Sequence, residues 1–550
     1  MKKMLFLVIF LAAAVSVAAE PVMRVGLMTD THVDKRKASC RMLKNSLALF
    51  KKHNVDLIVN LGDIANVYDE AGYKNYRDTV KAVYGNSVPR EIFVFANHDY
   101  MGRKSEKVDD VFKDVKKHLE SRNDPNDIIK YKGYTFVVIS QFIKRPKYIE
   151  MMEKAVKENQ GKPIFVLDHV PAFDTVYHSK TWGDRMRRQI LDRYPQAVQL
   201  SGHVHGTLTN ELNIWQGNFT AVNAGSLQYW GGDLVGSVPP IHKSDMVMIL
   251  EVYPDKLQFR RYFSTTGEEY GADDLWSVPL PFDPKSAPYT IAKRKAAVPV
   301  PEFAKDAKVT AVCGKDSVTV SFPNNNRAFF YKVELLRQVE GKWQRYARLD
   351  HISEFMLPEA KRSAVVRQKI DIGYFDAGKE YLIKVTPVDF YGNEGKAISG
   401  KLEVKSRVAD TVVFESRDPM KECPLMSGLE KGRKFRIDKD GYYIHDLHDG
   451  RLVFPDGIWE GKKGTIFRFT FEMETIQPGN KFWTLCLRNP KPLRNANNRI
   501  ATEGGSAGVL RHVITFSKPW DAFNCYLLIR EGSRGKIKFH YVKLERIEKK

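Results

Sequence analysis

From Met23 to about Ser264 the chain alternates short apolar runs with amphipathic stretches, and this alternation limits the fold more than any other feature. The runs MRVGLMTD, DLIVNLGD, EIFVFANHD, YTFVVIS, PIFVLDHV, AVQLSGH and FTAVNAGSL have strand length. CRMLKNSLALFKKH and MEKAVKEN, lying between them, have helical spacing. Strands alternating with helices call for an α/β layer architecture. MVMILEVYPDKLQFRRYF reads instead as a hairpin turning at Pro254-Asp255.

Several of these runs end in polar residues that can bind a cation. The first ends in Asp30 and His32, the second in Asp63, and the third in Asn97, His98 and Asp99. Later runs bring Asp168 and His169, then His203 and His205. In open α/β sheets, ligands bind outside the carboxyl ends of the strands. Residues i and i+2 of an extended segment face one side. Asp30 with His32, and His203 with His205, therefore reach one ion or one side of a pair. Gly62 and Gly202 let the backbone turn sharply beside a ligand. The donors are imidazole and oxygen without thiolate, which suits Mn, Fe or Zn better than Mg. Each piece alone also fits a cap, a turn or a packed histidine. Their ordered recurrence at strand ends points to a metal site.

The order D-x-H, GD, NHD, H, GHxH resembles the calcineurin-like metallophosphoesterase superfamily, over residues 23–265. The resemblance implies a β-sandwich flanked by helices, with a centre of two divalent transition-metal ions at one edge. One ion would take Asp30, His32 and His205. The other would take Asn97, His169 and His203. Asp63 would bridge them, and His98 would stand outside the metal shell near the scissile phosphate. The implied activity is phosphate-ester hydrolysis by a metal-bridging hydroxide, with His98 as general acid. Asp99 is expected either to orient His98 or to cap a helix. Three departures are visible. Ala96 stands where the family has glycine before Asn-His, and Asn66 where GDxxD ends in aspartate. Tyr68 comes too late for the tyrosine of purple acid phosphatases. Candidate substrate contacts are Asn66, Phe173 in HVPAFDTVYHSKTW, and Tyr229 and Trp230 in GSLQYWGG.

At 550 residues the chain exceeds one hydrophobic core. Residues 1–19 read as a signal peptide: Lys2 and Lys3 precede an apolar stretch too short to span a bilayer, and cleavage is expected near Ala19. The mature protein is expected to be secreted or periplasmic, with no integral membrane segment. Residues 20–283 form the metallophosphoesterase domain and the Pro-, Ala- and Lys-rich stretch 284–303 a linker. Residues 304–406 have short alternating strands, DSVTVSF, YKVELLR and EYLIKVTPVDFYGNEG, and resemble a fibronectin type III domain. Residues 407–550 resemble a jelly-roll β domain. The expected fold is thus a helix-flanked α/β sandwich followed by two all-β sandwiches. Trp459, Trp483 and Trp520 of the last domain would serve either its core or a carbohydrate or cell-surface contact. Lysine and arginine exceed the acids by 21 but are scattered, which reads as a generally basic exported protein rather than a nucleic-acid binder. The five cysteines form no CxxC pair, and a disulfide among the last three is open.

The expected function is an exported two-metal phosphoesterase acting on a phosphate-ester small molecule or nucleotide, with a phosphodiester or nucleotide-type substrate favoured. A phosphomonoesterase is the alternative within enzymes. A binding protein that has kept the fold without activity is the alternative outside them.

Overall fold

The computed structural model describes residues 20–159, 161–230, 245–405 and, in separate stretches, most of 410–547. The expected signal peptide lies outside the described residues. Residues up to Val298 form one compact unit and those from Pro299 onward a second.

Strands of the first unit are β1 (Met23–Met28), β2 (Leu57–Asn60), β3 (Arg90–Phe93), β4 (Asp127–Tyr131), β5 (Tyr134–Ile139) and β6 (Ile164–Asp168). They continue with β7 (Ala197–Ser201), β8 (Ile214–Gln216), β9 (Thr220–Asn223), β10 (Met246–Val252) and β11 (Lys256–Phe263). One sheet has the order β11-β10-β1-β2-β3, with β1, β2 and β3 parallel. The other has the order β4-β5-β6-β7-β9-β8, with β5, β6, β7 and β9 parallel. The β10–β11 hairpin pairs Val252 with Leu257, which puts its turn at the expected Pro254-Asp255.

Side chains alternate between the faces of each strand, and this sorts the core. Phe136 and Val138 of β5 point inward to the shared core with Val25, Leu27 and Val59 of the opposite sheet. Val137 and Ile139 point outward, against the helices Arg145–Lys157 and Arg185–Leu191. On the other outer face, Ile58 and Phe93 pack with the helices Arg41–Lys52, Glu70–Tyr84 and Val108–His118. The result is the expected sandwich of two sheets between helical layers.

The stretch 284–303, expected as a linker, is ordered and tied to the first unit through residue 298. Tyr289 is buried, and its backbone N–H donates to Gln216 Oε1 across 3.0 Å. Arg294, on the helix Ile291–Ala297, donates to Glu211 across 2.6 Å. Glu211 also accepts from Arg261 and Trp276, so a buried carboxylate holds this tail down.

The second unit is all-β. A three-stranded sheet (Thr310–Cys313, Ser317–Pro323, Val365–Asp371) faces a four-stranded one (Phe330–Val339, Lys342–Ile352, Lys379–Val388, Ile398–Val404) around one aromatic-rich core. Beyond it stand two six-stranded sheets. Buried Arg468 joins the two sandwiches, pairing with Asp371 at 2.6 Å and with Asp410. Trp459 lies in the core, 3% exposed, against Phe454, Phe467 and Phe516. That removes it as a sugar-stacking face. Trp520 and the side chain of Trp483 lie outside the described residues. Cys423 is a free buried thiol.

Candidate metal centre

The candidate ligands follow the carboxyl ends of the parallel strands: Asp30 and His32 after β1, Asp63 after β2, Asn97 after β3, His169 after β6, and His203 and His205 after β7. Five of them have left-handed backbones: Asp30 (φ 51°), His32 (40°), Asp63 (50°), His203 (70°) and His205 (48°). Such conformations cost non-glycine residues about 1–3 kcal/mol each and persist where the surroundings fix them, typically at functional sites. Gly62 (φ 103°) and Gly202 fill different needs. A Cβ on Gly62 would lie 2.8 Å from His169 Nδ1, and one on Gly202 would lie 1.9 Å from Thr29 Oγ1. Both glycines allow the loops to touch. Ala96, the departure from glycine, sits at φ −134°, an extended conformation open to any residue.

Six of the seven expected ligands converge in two groups that share Asp63. Asp30, His32, Asp63 and His205 make one group; Asp63, His169 and His203 make the other, with ligand atoms in each within 4.8 Å of one another. The hydrogen bonds show which atoms face inward. Asp30 Oδ2 accepts from Thr29 Oγ1 (2.9 Å) and from the His203 N–H (3.1 Å). Its Oδ1 is left 3.0 Å from His205 Nε2 and 4.0 Å from His169 Nε2. Asp63 Oδ1 accepts the His98 N–H at 2.9 Å, leaving Oδ2 3.1 Å from His169 Nε2. His169 donates Nδ1–H to the Leu61 carbonyl at 2.9 Å, which fixes the tautomer and bares Nε2. Asp30 Oδ1, Asp63 Oδ2, Asn97 Oδ1 and His169 Nε2 are buried with no hydrogen-bond partner. Their close contacts lack hydrogen-bond alignment. Buried polar atoms are nearly always satisfied, and a convergent set of oxygens and imidazole nitrogens left unsatisfied fits divalent cations. Asn97, which follows β3, is the seventh expected ligand, and its side-chain oxygen is likewise buried without a partner.

The charges agree. Burial opposes ionisation of Asp30, yet His205, His169 and His32 outweigh it and hold the carboxyl well below the carboxylate range. Burial also opposes Asp63, which His169 brings down. Burial pulls His32 and His203 down to about 4, so both are neutral at pH 7, as imidazole ligands must be. Burial acts likewise on His169 and His205, but Asp63 lifts the first to about 9 and Asp30 raises the second. These two histidines hold protons only because of the carboxylates. A divalent cation supplies the same positive charge and displaces those protons.

His98 stands beside the cluster, its ring 4.8 Å from that of His32 and its Nε2 4.0 Å from Asp63 Oδ2. Asn66, expected as a substrate contact, meets His98 through its backbone: its carbonyl accepts His98 Nδ1–H at 2.6 Å. Asp99 does not touch His98. It is fully buried and accepts from the backbone N–H groups of Ile64, Ala65 and Ala96, tying the loops after β2 and β3. Burial first, and Asp63 second, raise its carboxyl to about 7.

The remaining aromatic candidates divide. Tyr229 lies over the first group, its ring 4.2 Å from His205 and 5.1 Å from His32. Phe173 is covered by the Arg185 guanidinium, 3.8 Å from its ring centroid. Trp230 is buried and presents no open face. Three residues escaped the sequence pattern. Trp182, 52% exposed, stands 6.1 Å from the His203 ring at the end of the helix Ser179–Trp182, in the same β6–β7 connection as Phe173. Gln141 and Arg187 form the frame of the second group. Gln141 Oε1 accepts the Asn97 N–H (2.8 Å), and its carbonyl accepts from Arg187 (3.2 Å). Buried Arg187 pairs with Asp168 at 2.7 Å, immediately before His169. Asp168 is therefore spent on an ion pair. An arginine within the run RMRR carries no sequence signal of burial.

A helix-flanked α/β sandwich with an Asp/His cluster at the carboxyl edge of its parallel strands defines a metallophosphoesterase domain. Residues 23–207 match the calcineurin-like phosphoesterase family and constitute a domain of that kind. Among solved structures, the chain is similar to a purple acid phosphatase from yellow lupin (Lupinus luteus) seeds, at 11% identity and a TM-score of 0.33, over 47% of this chain and 53% of that one. It is similar to a predicted phosphoesterase from Streptococcus pneumoniae (10%, TM-score 0.23, 47% and 97%). It is also similar to the sulfate thiohydrolase SoxB of Thermus thermophilus (12%, TM-score 0.27, 50% and 60%). The chain thus spans about half the length of the lupin enzyme it matches. No curated protein matches it.

Proposed function

We propose that the protein is an exported phosphoesterase that uses two divalent transition-metal ions, Mn, Fe or Zn, and acts on a phosphodiester or nucleotide-type ester. The observation that carries this proposal is Asp63, whose carboxylate is common to two groups of inward-facing ligands. Two cations held there would polarise a phosphoryl group and acidify a water beside it.

The chain's own residues account for the rest. Asp63 binds through Oδ2 while its Oδ1 is anchored by the His98 backbone. The Leu61 carbonyl keeps the His169 ring turned inward. His98 has its Nδ1 proton held by Asn66, so a second proton can reside only on Nε2, the atom that faces the cluster. From there it passes to the departing ester oxygen. The export part of the proposal rests on the signal-like residues 1–19; among the described residues, no helix is long and apolar enough to cross a membrane.

The test is a substrate panel with Mn or Zn added, comparing bis-p-nitrophenyl phosphate, p-nitrophenyl phosphate and nucleotides. Faster turnover of the diester or of nucleotides is expected. Preference for p-nitrophenyl phosphate would make the protein a phosphomonoesterase, and turnover of none of them would leave only the scaffold alternative.

A further inference from the structure

Among the residues whose exposure is described, three aromatic side chains stand more than a third exposed: Phe142 (42%), Trp182 (52%) and Tyr229 (38%). Phe142 and Tyr229 occupy loops that leave the carboxyl ends of β5 and β9, and Trp182 ends the short helix Ser179–Trp182 in the segment after β6. Tyr229 and Trp182 face the metal-ligand histidines from opposite groups, 4.2 Å from His205 and 6.1 Å from His203. Phe142 follows Gln141, which bonds the Asn97 N–H, and its ring lies 5.4 Å from that of Tyr100 at the end of the Asn97–Tyr100 helix. Trp182 and Tyr229 thus flank the two candidate ligand groups, and exposed aromatic surface beside a candidate site suits ligand binding.

Exposed lysines also follow carboxyl ends of the parallel strands: Lys35 after β1, Lys104 after β3 and Lys144 after β5, the last in the Phe142 loop. None of the three is paired with a described carboxylate. The loop of Lys35 is pinned to the Tyr229 loop, since Gln228 donates to the Ser39 carbonyl at 2.6 Å. Each of these lysines thus follows the carboxyl end of a strand whose loop also carries Asp30 and His32, Asn97 or Gln141.

The platform is also rigid. Trp182 donates its N–H to the His178 carbonyl (2.9 Å), and Gly183 donates to the Ser179 carbonyl (2.9 Å). A Cβ on Gly183 would sit 2.4 Å from that same carbonyl oxygen, so the turn behind the tryptophan is closed by necessity. An exposed ring on a fixed backbone loses little entropy when it stacks.

We infer that this rim binds a single-stranded oligonucleotide across the metal centre, its bases stacking on Trp182, Tyr229 and Phe142 and its flanking phosphates meeting the lysines. Stacking platforms combined with a cationic track are the chemistry of single-strand binding. Several rings on separate loops suit several bases, where a mononucleotide would occupy one. The inference rests on the phosphoesterase proposal for the identity of the centre, but strand binding needs no metal and is tested apart from catalysis.

The experiment is fluorescence anisotropy of the full, chelator-treated protein with a short fluorescein-labelled oligothymidine strand. Binding is expected to weaken with salt, with a log–log slope of about −2 for three phosphate contacts. Trp182→Ala is expected to weaken it about tenfold or more, and Trp182→Phe to recover most of the loss. No binding, equal affinity in Trp182→Ala, or thymidine monophosphate binding as tightly as the strand would each overturn the inference. Hydrolysis of bis-p-nitrophenyl phosphate by the metal-loaded wild type is scored separately. Hydrolysis without strand binding overturns only the rim; strand binding without hydrolysis of any ester overturns only the phosphoesterase proposal.

Discussion

The backbone carbonyl of Asn66 accepts the Nδ1–H of His98 across 2.6 Å. A carbonyl cannot donate, so this bond settles where the first imidazole proton resides and leaves Nε2 to exchange the second. If Nε2 protonates the leaving oxygen, His98→Asn retains both metals and loses about 10²–10⁴-fold in kcat/KM on an alkyl ester. The loss shrinks with a p-nitrophenyl ester, whose phenolate leaves unaided. Equal losses on the two esters would reduce His98 to a phosphate-binding residue.

Gln141 and Arg187 support only the second ligand group, through Asn97 and through Asp168 beside His169. Gln141→Leu removes the acceptor of the Asn97 N–H and leaves the Arg187–Asp168 pair intact. Outer partners of metal ligands are worth roughly 10–100-fold in affinity. Titration with Zn followed by calorimetry should show one site weakened by that factor and the other unchanged. Equal weakening of both sites would contradict the division of the frame.

His512, on the strand Val509–Ser517, is fully buried, stacked on Phe471 with ring centroids 5.1 Å apart, and its Nε2 has no hydrogen-bond partner. Burial alone pulls it down to about 4. The unfolded chain takes a proton on this ring below about 6.5 while the folded chain stays neutral until about 4. The proton-linked cost of burying it is therefore absent above pH 6.5, and stability falls as the pH drops from 6.5 to 4, by about 3 kcal/mol. Urea midpoints at pH 7.5 and pH 5 should differ less in His512→Phe than in the wild type. The same difference in both would contradict this assignment.

The strand ends were legible because each joins an apolar run to a polar residue of one donor type, and topology alone brings such ends to one edge. The same logic placed the β10–β11 hairpin. What was not legible has particular causes. The left-handed backbones of Asp30, His32, Asp63, His203 and His205 are fixed by their surroundings, and the modest preference of Asp and His for that region does not single them out in the sequence. Arg187 looks like a surface residue until Asp168 is folded against it. Residues 284–298 have a linker's composition, yet the partner that orders them, Glu211, lies far away in sequence. Phe173 and Trp182 share one inter-strand connection, and only the fold shows that Trp182 stands beside His203.

The central claim is that Asp63 joins two cation sites, and elemental analysis of the purified protein after reconstitution with Mn, Fe and Zn tests it most directly. The account predicts about two ions per chain in the wild type, and loss of bound metal from both sites in Asp63→Asn, because one side chain belongs to both ligand groups. A wild type that holds no ion, or a single ion that Asp63→Asn leaves in place, would contradict it.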